Sequence, residues 1–268
     1  MLKDITLGQY FPGESFIHRL DPRTKLFCTL IYIITLFAAK SYLTYALVLL
    51  LLAFMIGVSG IRPSAFFKGL KPLALIIVFT AVLNLFYIKG GKELFSFWVL
   101  TVTTVGIRTA AFMVLRIMML ICGTFLLTYT TTPMALTDGL ELLLNPLKKI
   151  RVPVHEFSMM MSIALRFIPT LIEEADKITS AQKARGADFE VGKLTDRAKA
   201  LLPLLVPLFV SAFRRADELA IAMESRCYHG GVGRTRMKKL SMRTADFVTI
   251  VSSLVLLTGI IVLARFGF

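Results

Sequence analysis

The segment YLTYALVLLLLAFMIGVS, residues 42–59, decides the fold class of this chain, because 18 consecutive positions contain no Lys, Arg, Asp or Glu. A helix that crosses a bilayer needs roughly 17–25 predominantly apolar residues. Further charge-free runs lie at 26–39, 72–88 and 247–264, and a run at 109–130 contains Arg116 as its one charge. The sequence therefore predicts an all-α integral membrane protein with about five transmembrane helices.

The composition supports a membrane protein and excludes soluble, secreted and disordered classes. The 268 residues are 56% hydrophobic and 18% charged, whereas soluble chains are about 45–50% apolar and about 25% charged. The net charge of +14 is typical of proteins that meet anionic membrane surfaces or nucleic acid. The three cysteines form no CxxC pair, which disfavours a disulfide framework or a zinc site.

The first run has the length of a signal-peptide core, but it follows a polar segment of 25 residues, and Lys40 lies where a cleavage site would lie. We predict an uncleaved first helix, residues 24–41, that spans the bilayer if Lys25 and Lys40 extend to the two interfaces.

Positive charge orients the spans: 25 of the 31 Lys and Arg residues lie on one predicted side. The positive-inside rule then places the amino terminus in the cytoplasm.

Residues 133–243 form a block that we predict to be cytoplasmic, between a membrane domain at 1–132 and a last transmembrane helix at 244–268. Two long amphipathic helices are expected in this block, after Pro153 and near Thr195, because apolar residues recur at steps of three and four. The first stripe is Phe157, Met161, Ala164, Ile168, Leu171, Ala175 and Ile178; the second is Leu201, Leu205, Leu208, Ala212, Ala216, Leu219 and Met223. Arg166 interrupts one apolar stretch, so this part should lie on the bilayer or partly in it.

Each of these helices extends its stripe to a single arginine between small residues. The first helix ends in Ala184-Arg185-Gly186 and the second in Ser225-Arg226-Cys227. A lone arginine at a helix end is usually a solvated charge that favours the helix dipole. The paired occurrence favours a binding role, because small neighbours permit close approach and a guanidinium suits a carboxylate in a partner's groove.

Several kinds of catalytic or transport site are absent from the sequence. It has no GxxxxGK[ST] phosphate loop and no HExxH motif, and no Asp or Glu lies in the charge-free runs. Arg116, seven residues into its run, should face other helices, and we expect it to clamp backbone carbonyls. We therefore expect neither a catalytic centre nor a bound cofactor or metal.

A series of motifs carries a family resemblance. They are HRLDPRTK at 18–25, TTP at 131–133, NPL at 145–147, LRFIP at 165–169, AQKARG at 181–186 and AMESRCY at 222–228. In order and spacing, the chain resembles the transmembrane T component of energy-coupling factor (ECF) transporters, the family that includes cobalt-transport and biotin-transport membrane components. The likeness covers nearly the whole chain.

The resemblance implies a scaffold subunit of the cell membrane rather than an enzyme. In this family, Ala-Arg-Gly signatures at the ends of two coupling helices dock into two ABC-type ATPases, which can be identical or different. One or more small membrane S components bind the vitamin or metal ion and contact the coupling helices. The first signature matches at residues 184–186. The second departs from it at Ser225 and Cys227, so a backbone conformation reserved for glycine is in question there.

Three alternatives remain from the residues themselves. A stand-alone secondary transporter is the main one, although intramembrane carboxylates are missing. A membrane-anchored nucleic-acid-binding protein is disfavoured because residues 133–243 interleave 12 acidic residues with 18 basic ones. A membrane enzyme is the weakest, since no nucleophile and base are paired. The expected partners are thus ATPases, S components and the lipid bilayer, without nucleic acid.

Overall fold

The computed structural model describes residues 9–39, 41–88, 90, 93–97, 100–187, 194–230 and 240–265. Its helices are α1 (Phe16–Arg19), α2 (Pro22–Ala38), α3 (Tyr42–Ser59), α4 (Pro63–Leu70), α5 (Ala74–Tyr87), α6 (Thr104–Thr130), α7 (Pro133–Leu144), α8 (Val154–Ala184), α9 (Leu194–Glu224) and α10 (Thr244–Arg265). Short 3-10 turns occupy Lys71–Leu73 and Asn145–Ile150. The predicted all-α membrane class is confirmed.

Four helical stretches in the described part of the chain are long and apolar enough to cross a membrane. They are Tyr42–Ser59, Pro63–Tyr87, Thr104–Thr130 and Thr244–Arg265. The fifth predicted span forms α2, whose 17 residues lie at the short end of the spanning range. Each of the five predicted segments is therefore helical.

The third span begins earlier than the sequence indicated. The helix starts at Pro63, in the first helical position where its missing N–H costs nothing. It then continues through the 3-10 turn that contains Pro72 into α5. Lys68 and Lys71, which precede the charge-free run at 72–88, are consequently helical.

A small two-stranded sheet connects α5 to α6, in a segment for which the sequence predicted no structure. Strand β1 (Glu93–Phe97) pairs antiparallel with strand β2 (Leu100–Thr103). The hydroxyl of Thr103 accepts a hydrogen bond from Gly106 N at 3.0 Å and so caps the start of α6. Trp98 lies outside the described residues.

The chain divides into two compact units. One, which we call the bundle unit, consists of Gly8–Gly139 and Leu240–Phe268, and the other, the hairpin unit, contains Leu140–Lys239. The sequence-based division at residues 132 and 243 stays a prediction, because it concerns the side of the membrane rather than compactness.

The core of the bundle unit lies where α2, α3, α6 and α10 meet. Leu36, Val48, Met119 and Ile260 pack there, each at most 2% exposed. Tyr32 donates its hydroxyl proton to the Met119 carbonyl at 2.9 Å. A Cβ atom at Gly123 would overlap the Tyr32 ring, so glycine lets α2 and α6 approach closely.

A buried polar cluster, here called the polar clasp, joins the start of α2 to the end of α6 and the start of α10. Lys25 Nζ donates to Thr130 O at 2.8 Å, Thr131 Oγ1 at 3.3 Å and His18 O at 3.4 Å. All three ammonium protons are thereby used. Protein acceptors thus take the place of the water that we expected around Lys25, and its side chain is buried.

The clasp's carboxylate is Asp246, which is 2% exposed. Its two oxygens accept from Asp21 N at 2.8 Å and Arg243 N at 2.7 Å. An acidic side chain three positions into a helix that bonds the N-cap N–H satisfies a donor that the helix itself cannot satisfy. The same carboxylate thus caps α10 and holds the start of α2 to it.

Candidate functional site

Helices α8 and α9 form an antiparallel pair within the hairpin unit. Three contacts establish the direction: Gln182 meets Pro203, Glu174 meets Arg215, and Met159 meets Tyr228. Residue numbers rise along α8 as they fall along α9. The end of each helix therefore lies beside the start of the other.

The predicted apolar stripes face each other over the middle of this pair. Ile168 and Leu171 of α8 lie opposite Ala212 and Leu219 of α9, around a cavity of about 400 Å³. The ends of the stripes depart from the prediction, since Phe157 is 54% exposed and residues 161, 201 and 205 are also exposed. These side chains at the stripe ends therefore stay uncovered within the described part of the hairpin unit.

A charged clamp crosses from α8 to α9. The Ser211 hydroxyl donates to Glu174 Oε1, and Arg215 donates to Glu174 Oε2 from Nη2 at 2.9 Å and Nε at 3.2 Å. The hydrogen bond from Ser211, followed by the bonds and charge of Arg215, lowers the pKa of Glu174 below its ordinary value. The carboxylate therefore stays ionised and ties the two helices together.

The prolines of α9 create a second link. Pro207 has no N–H, so the carbonyl of Pro203, four residues earlier, lacks its helical donor. The side-chain amide of Gln182 donates to this carbonyl at 3.4 Å. A residue near the tip of α8 is thus fixed by a backbone group that a regular helix would not leave available.

The first arginine tip ends in a complete Schellman motif. Gly186 N donates to Lys183 O and Ala187 N donates to Gln182 O, both at 3.0 Å. Gly186 adopts the left-handed conformation at φ +88°, and no atom of the described residues lies within 4 Å of where its Cβ would be. Glycine is therefore favoured here by backbone conformation and not by crowding.

The second tip has the same geometry with a different residue. Cys227 N donates to Glu224 O at 2.8 Å and Tyr228 N donates to Met223 O at 3.1 Å, which repeats the two Schellman bonds. Cys227 is left-handed at φ +56°, where the first tip has Gly186. The departure from the glycine signature thus leaves the backbone turn unchanged, at the steric cost that a side chain has in this conformation.

Both arginines immediately precede the left-handed residue, and both are exposed. Within the described ranges neither guanidinium makes a hydrogen bond or an ion pair. Because α8 and α9 are antiparallel, the tips lie at opposite ends of the pair, about 40 Å apart along the helices at 1.5 Å per residue. The six signature residues, Ala184, Arg185, Gly186, Ser225, Arg226 and Cys227, are all exposed, so the structure presents two separate tips of one design.

The other two arginines singled out in the sequence differ in their surroundings. In the bundle unit, Arg116 Nε donates to the Tyr45 hydroxyl at 2.7 Å, and Nη2 donates to the Ala39 carbonyl at 3.4 Å. Its guanidinium also lies 5.5 Å from the centre of the Phe37 ring. Arg166, on α8, is exposed and has no polar partner among the described residues.

Sequence reasoning did not identify the groups that hold these elements in place. The Glu174 clamp could have been suspected only from an acid and a base facing each other on two stripes. The polar clasp gave no comparable signal, because Asp246 and Asp21 are 225 residues apart.

Comparisons with known proteins agree with these features. The family model described as cobalt transport protein, CbiQ, matches residues 13–239. The chain is 55% identical over 257 residues to the energy-coupling factor transporter transmembrane protein EcfT of Clostridium kluyveri, covering 96% of this chain and 95% of the relative. The proteins of the same name from Thermosediminibacter oceani and Bacillus subtilis are 53% and 49% identical, over 99% and 96% of this chain and 99% and 97% of the relatives.

These matches span almost the full length of both sequences, and the relatives are named as transporter transmembrane proteins rather than as enzymes. Together with the apolar spanning helices, they show that the chain belongs to the CbiQ family as an energy-coupling factor transporter transmembrane protein.

Proposed function

We propose that this chain is the scaffold subunit of an ECF-type importer. It couples ATP hydrolysis by two ATPase subunits to movement of a small membrane S component that binds a vitamin or a metal ion. The amino terminus and the hairpin unit lie on the cytoplasmic side of the cell membrane, as the excess of positive charge there supports. The chain itself has no catalytic role.

The observation that carries this proposal is the equivalence of the two arginine tips. Two exposed guanidiniums precede identical left-handed turns at opposite ends of one helix pair, and neither is used inside the described structure. Two identical or closely related subunits can each receive one such tip in an acidic groove. A single partner with one groove would leave the second tip without a role.

The clamp between the helices supports transmission of motion along the pair. The Glu174–Arg215 bonds and the Tyr228–Met159 contact, at 3.2 Å, lie at separate points along α8 and α9. A displacement applied at either tip is therefore carried by both helices. The uncovered stripe ends, such as Phe157, offer apolar surface for the bilayer or for an S component.

Charge reversal of each tip tests the docking role. Arg185→Glu and Arg226→Glu should each reduce co-purification of ATPase subunits from membranes, by on the order of 2–5 kcal/mol in affinity if the facing carboxylate is buried. The double variant should lose both subunits. Arg214→Glu is the matched control, because it reverses an exposed arginine in the middle of α9. Unchanged recovery of ATPases by the double variant, or an equal loss in the control, would contradict the assignment.

A further inference from the structure

A cavity of about 300 Å³ lies inside the bundle unit, between α2, α3, α6 and α10. The surface of its wall is mainly apolar and includes the side chains of Leu52, Met55, Leu126 and Leu256. This volume lies at the lower end of the range for small-molecule sites. Since the surrounding helices are the membrane-spanning ones, the cavity lies at the depth of the bilayer, where lipid rather than water is the solvent.

The cavity extends over about half the thickness of a bilayer core. Its wall on α2 runs from Thr24 to Thr35, which is about 16 Å at 1.5 Å per residue. Half of a hydrocarbon core is about 15 Å thick. An extended acyl chain of one leaflet thus has the length of this cavity.

Almost every hydroxyl group in the wall is already satisfied. Each donates to a backbone carbonyl, which for Tyr32 belongs to Met119 of α6 and for the others lies three or four residues earlier in the same helix: the donors are Thr29, Tyr32, Thr35, Thr130, Thr249, Ser252 and Ser253. Lys25, the one charged residue in the wall, uses its three protons within the polar clasp. Apart from Thr24, the described wall residues consequently offer a ligand no charged group or hydroxyl whose protons are still free to donate.

Thr24 is the exception. It is 0% exposed, and its Oγ1 atom has no hydrogen-bond partner among the described residues. The physical cause is its position, third in α2: the carbonyl four residues earlier belongs to Leu20, before the helix begins. A buried hydroxyl without a partner is costly, so an acceptor on a bound molecule would be stabilising here.

We propose that this cavity binds one acyl chain of a membrane glycerolipid, with the ester carbonyl accepting the hydroxyl proton of Thr24. The mainly apolar surface of the wall complements a hydrocarbon chain, and Thr24 lies near the helix start, at the depth where a lipid's ester group joins its chain. Since Lys25 uses its three protons within the polar clasp, no charged donor is left there to select a headgroup.

Native mass spectrometry of the complete chain, purified with its partner subunits in mild detergent, tests the proposal. Phosphatidylglycerol with ester-linked chains should remain bound through detergent exchange, several-fold better than the ether-linked analogue, and phosphatidylethanolamine should be retained as well as phosphatidylglycerol. Thr24→Val should abolish the preference for the ester lipid. Equal retention of ester and ether lipids by the unaltered chain, or a strong preference for the anionic headgroup, would overturn the proposal.

A second measurement separates the cavity from ordinary surface lipid, and its first readout uses the unaltered chain. Phosphatidylglycerol with a diazirine in mid-chain, incorporated into vesicles with the transporter, should crosslink saturably to residues of the wall, Cys28 and Leu256 among them. Ser253→Phe should remove these crosslinks by filling the cavity, whereas Val255→Phe, at a site 64% exposed, should leave them unchanged. Crosslinks confined to outward residues such as Leu50 and Val255 would show that no chain enters.

Discussion

Removal of the Asp246 carboxylate should destabilise the bundle unit more than any surface change. Asp246 accepts two backbone N–H groups, at 2.8 and 2.7 Å, while being 2% exposed. In Asp246→Ala both donors lose their acceptor. The N–H of Asp21 is buried, and a buried donor left unpaired costs about 1–3 kcal/mol. Arg243 is exposed, so there the loss is that of a helix cap, about 0.5–2 kcal/mol, and the variant should lose about 2–5 kcal/mol of stability in all. Asp246→Asn keeps one accepting oxygen but turns an NH₂ group towards the second donor, so about half of that loss is expected.

The assay is the thermal midpoint of the detergent-solubilised chain, measured by size-exclusion chromatography after heating. At about 2–4 °C per kcal/mol, Asp246→Ala should lower the midpoint by at least about 4 °C, and Asp246→Asn should lie between it and the unaltered chain. Asp217→Ala, at an exposed position of α9, is the control and should change little. An Asp246→Ala midpoint equal to that of the control would refute the role of the polar clasp.

Three further predictions concern the tips, the clamp and the intramembrane arginine. Cys227→Gly should be tolerated and should stabilise the hairpin unit, whereas Gly186→Ala should destabilise it by about 1–2 kcal/mol, because a side chain is strained in the left-handed turn; limited proteolysis of the hairpin unit compares them. The native state lowers the pKa of Glu174 below its ordinary value, so the ionised carboxylate stabilises the hairpin unit at pH values above the unfolded pKa, and this stabilisation is lost as pH falls through the lower native pKa. Proteolysis of the unaltered hairpin unit should therefore become faster in acid, whereas proteolysis of Glu174→Gln should lack this acid dependence. Arg116→Lys should cost about 1–2 kcal/mol of stability, since an ammonium cannot reproduce the fork that reaches Tyr45 and Ala39. An unchanged thermal midpoint would argue against this role of Arg116.

Much of the helical architecture could be predicted because its signals are local. The bounds of α3 follow from a charge-free run flanked by Ser41, which caps its start, and Gly60, which is left-handed at φ +71° at its end. The end of α8 is likewise marked by Gly186. For α4, by contrast, Lys68 and Lys71 concealed a helix that continues into the third span, since charged residues at the end of an otherwise apolar helix leave no gap in its backbone.

The polar interior and the second tip could not be predicted from local pattern. Lys25 bonds a carbonyl 105 residues away, so its burial depends on packing that sequence spacing does not show. Cys227 lacks the conformational signature of glycine, and only the backbone bonds of the turn reveal that it occupies the same left-handed position. The stripes of α8 and α9 predicted which faces meet but not how far along each helix they touch, because that length depends on the crossing angle.

The most direct test of the central claim is the native mass of the complex that accompanies the tagged chain out of the membrane. The account predicts one copy of this chain with two ABC-type ATPase subunits and one small membrane protein, and the loss of ATPase mass when Arg185 and Arg226 are both reversed. Recovery of the chain without ATPases, together with solute uptake by the chain alone in proteoliposomes, would contradict the scaffold role and favour a secondary transporter.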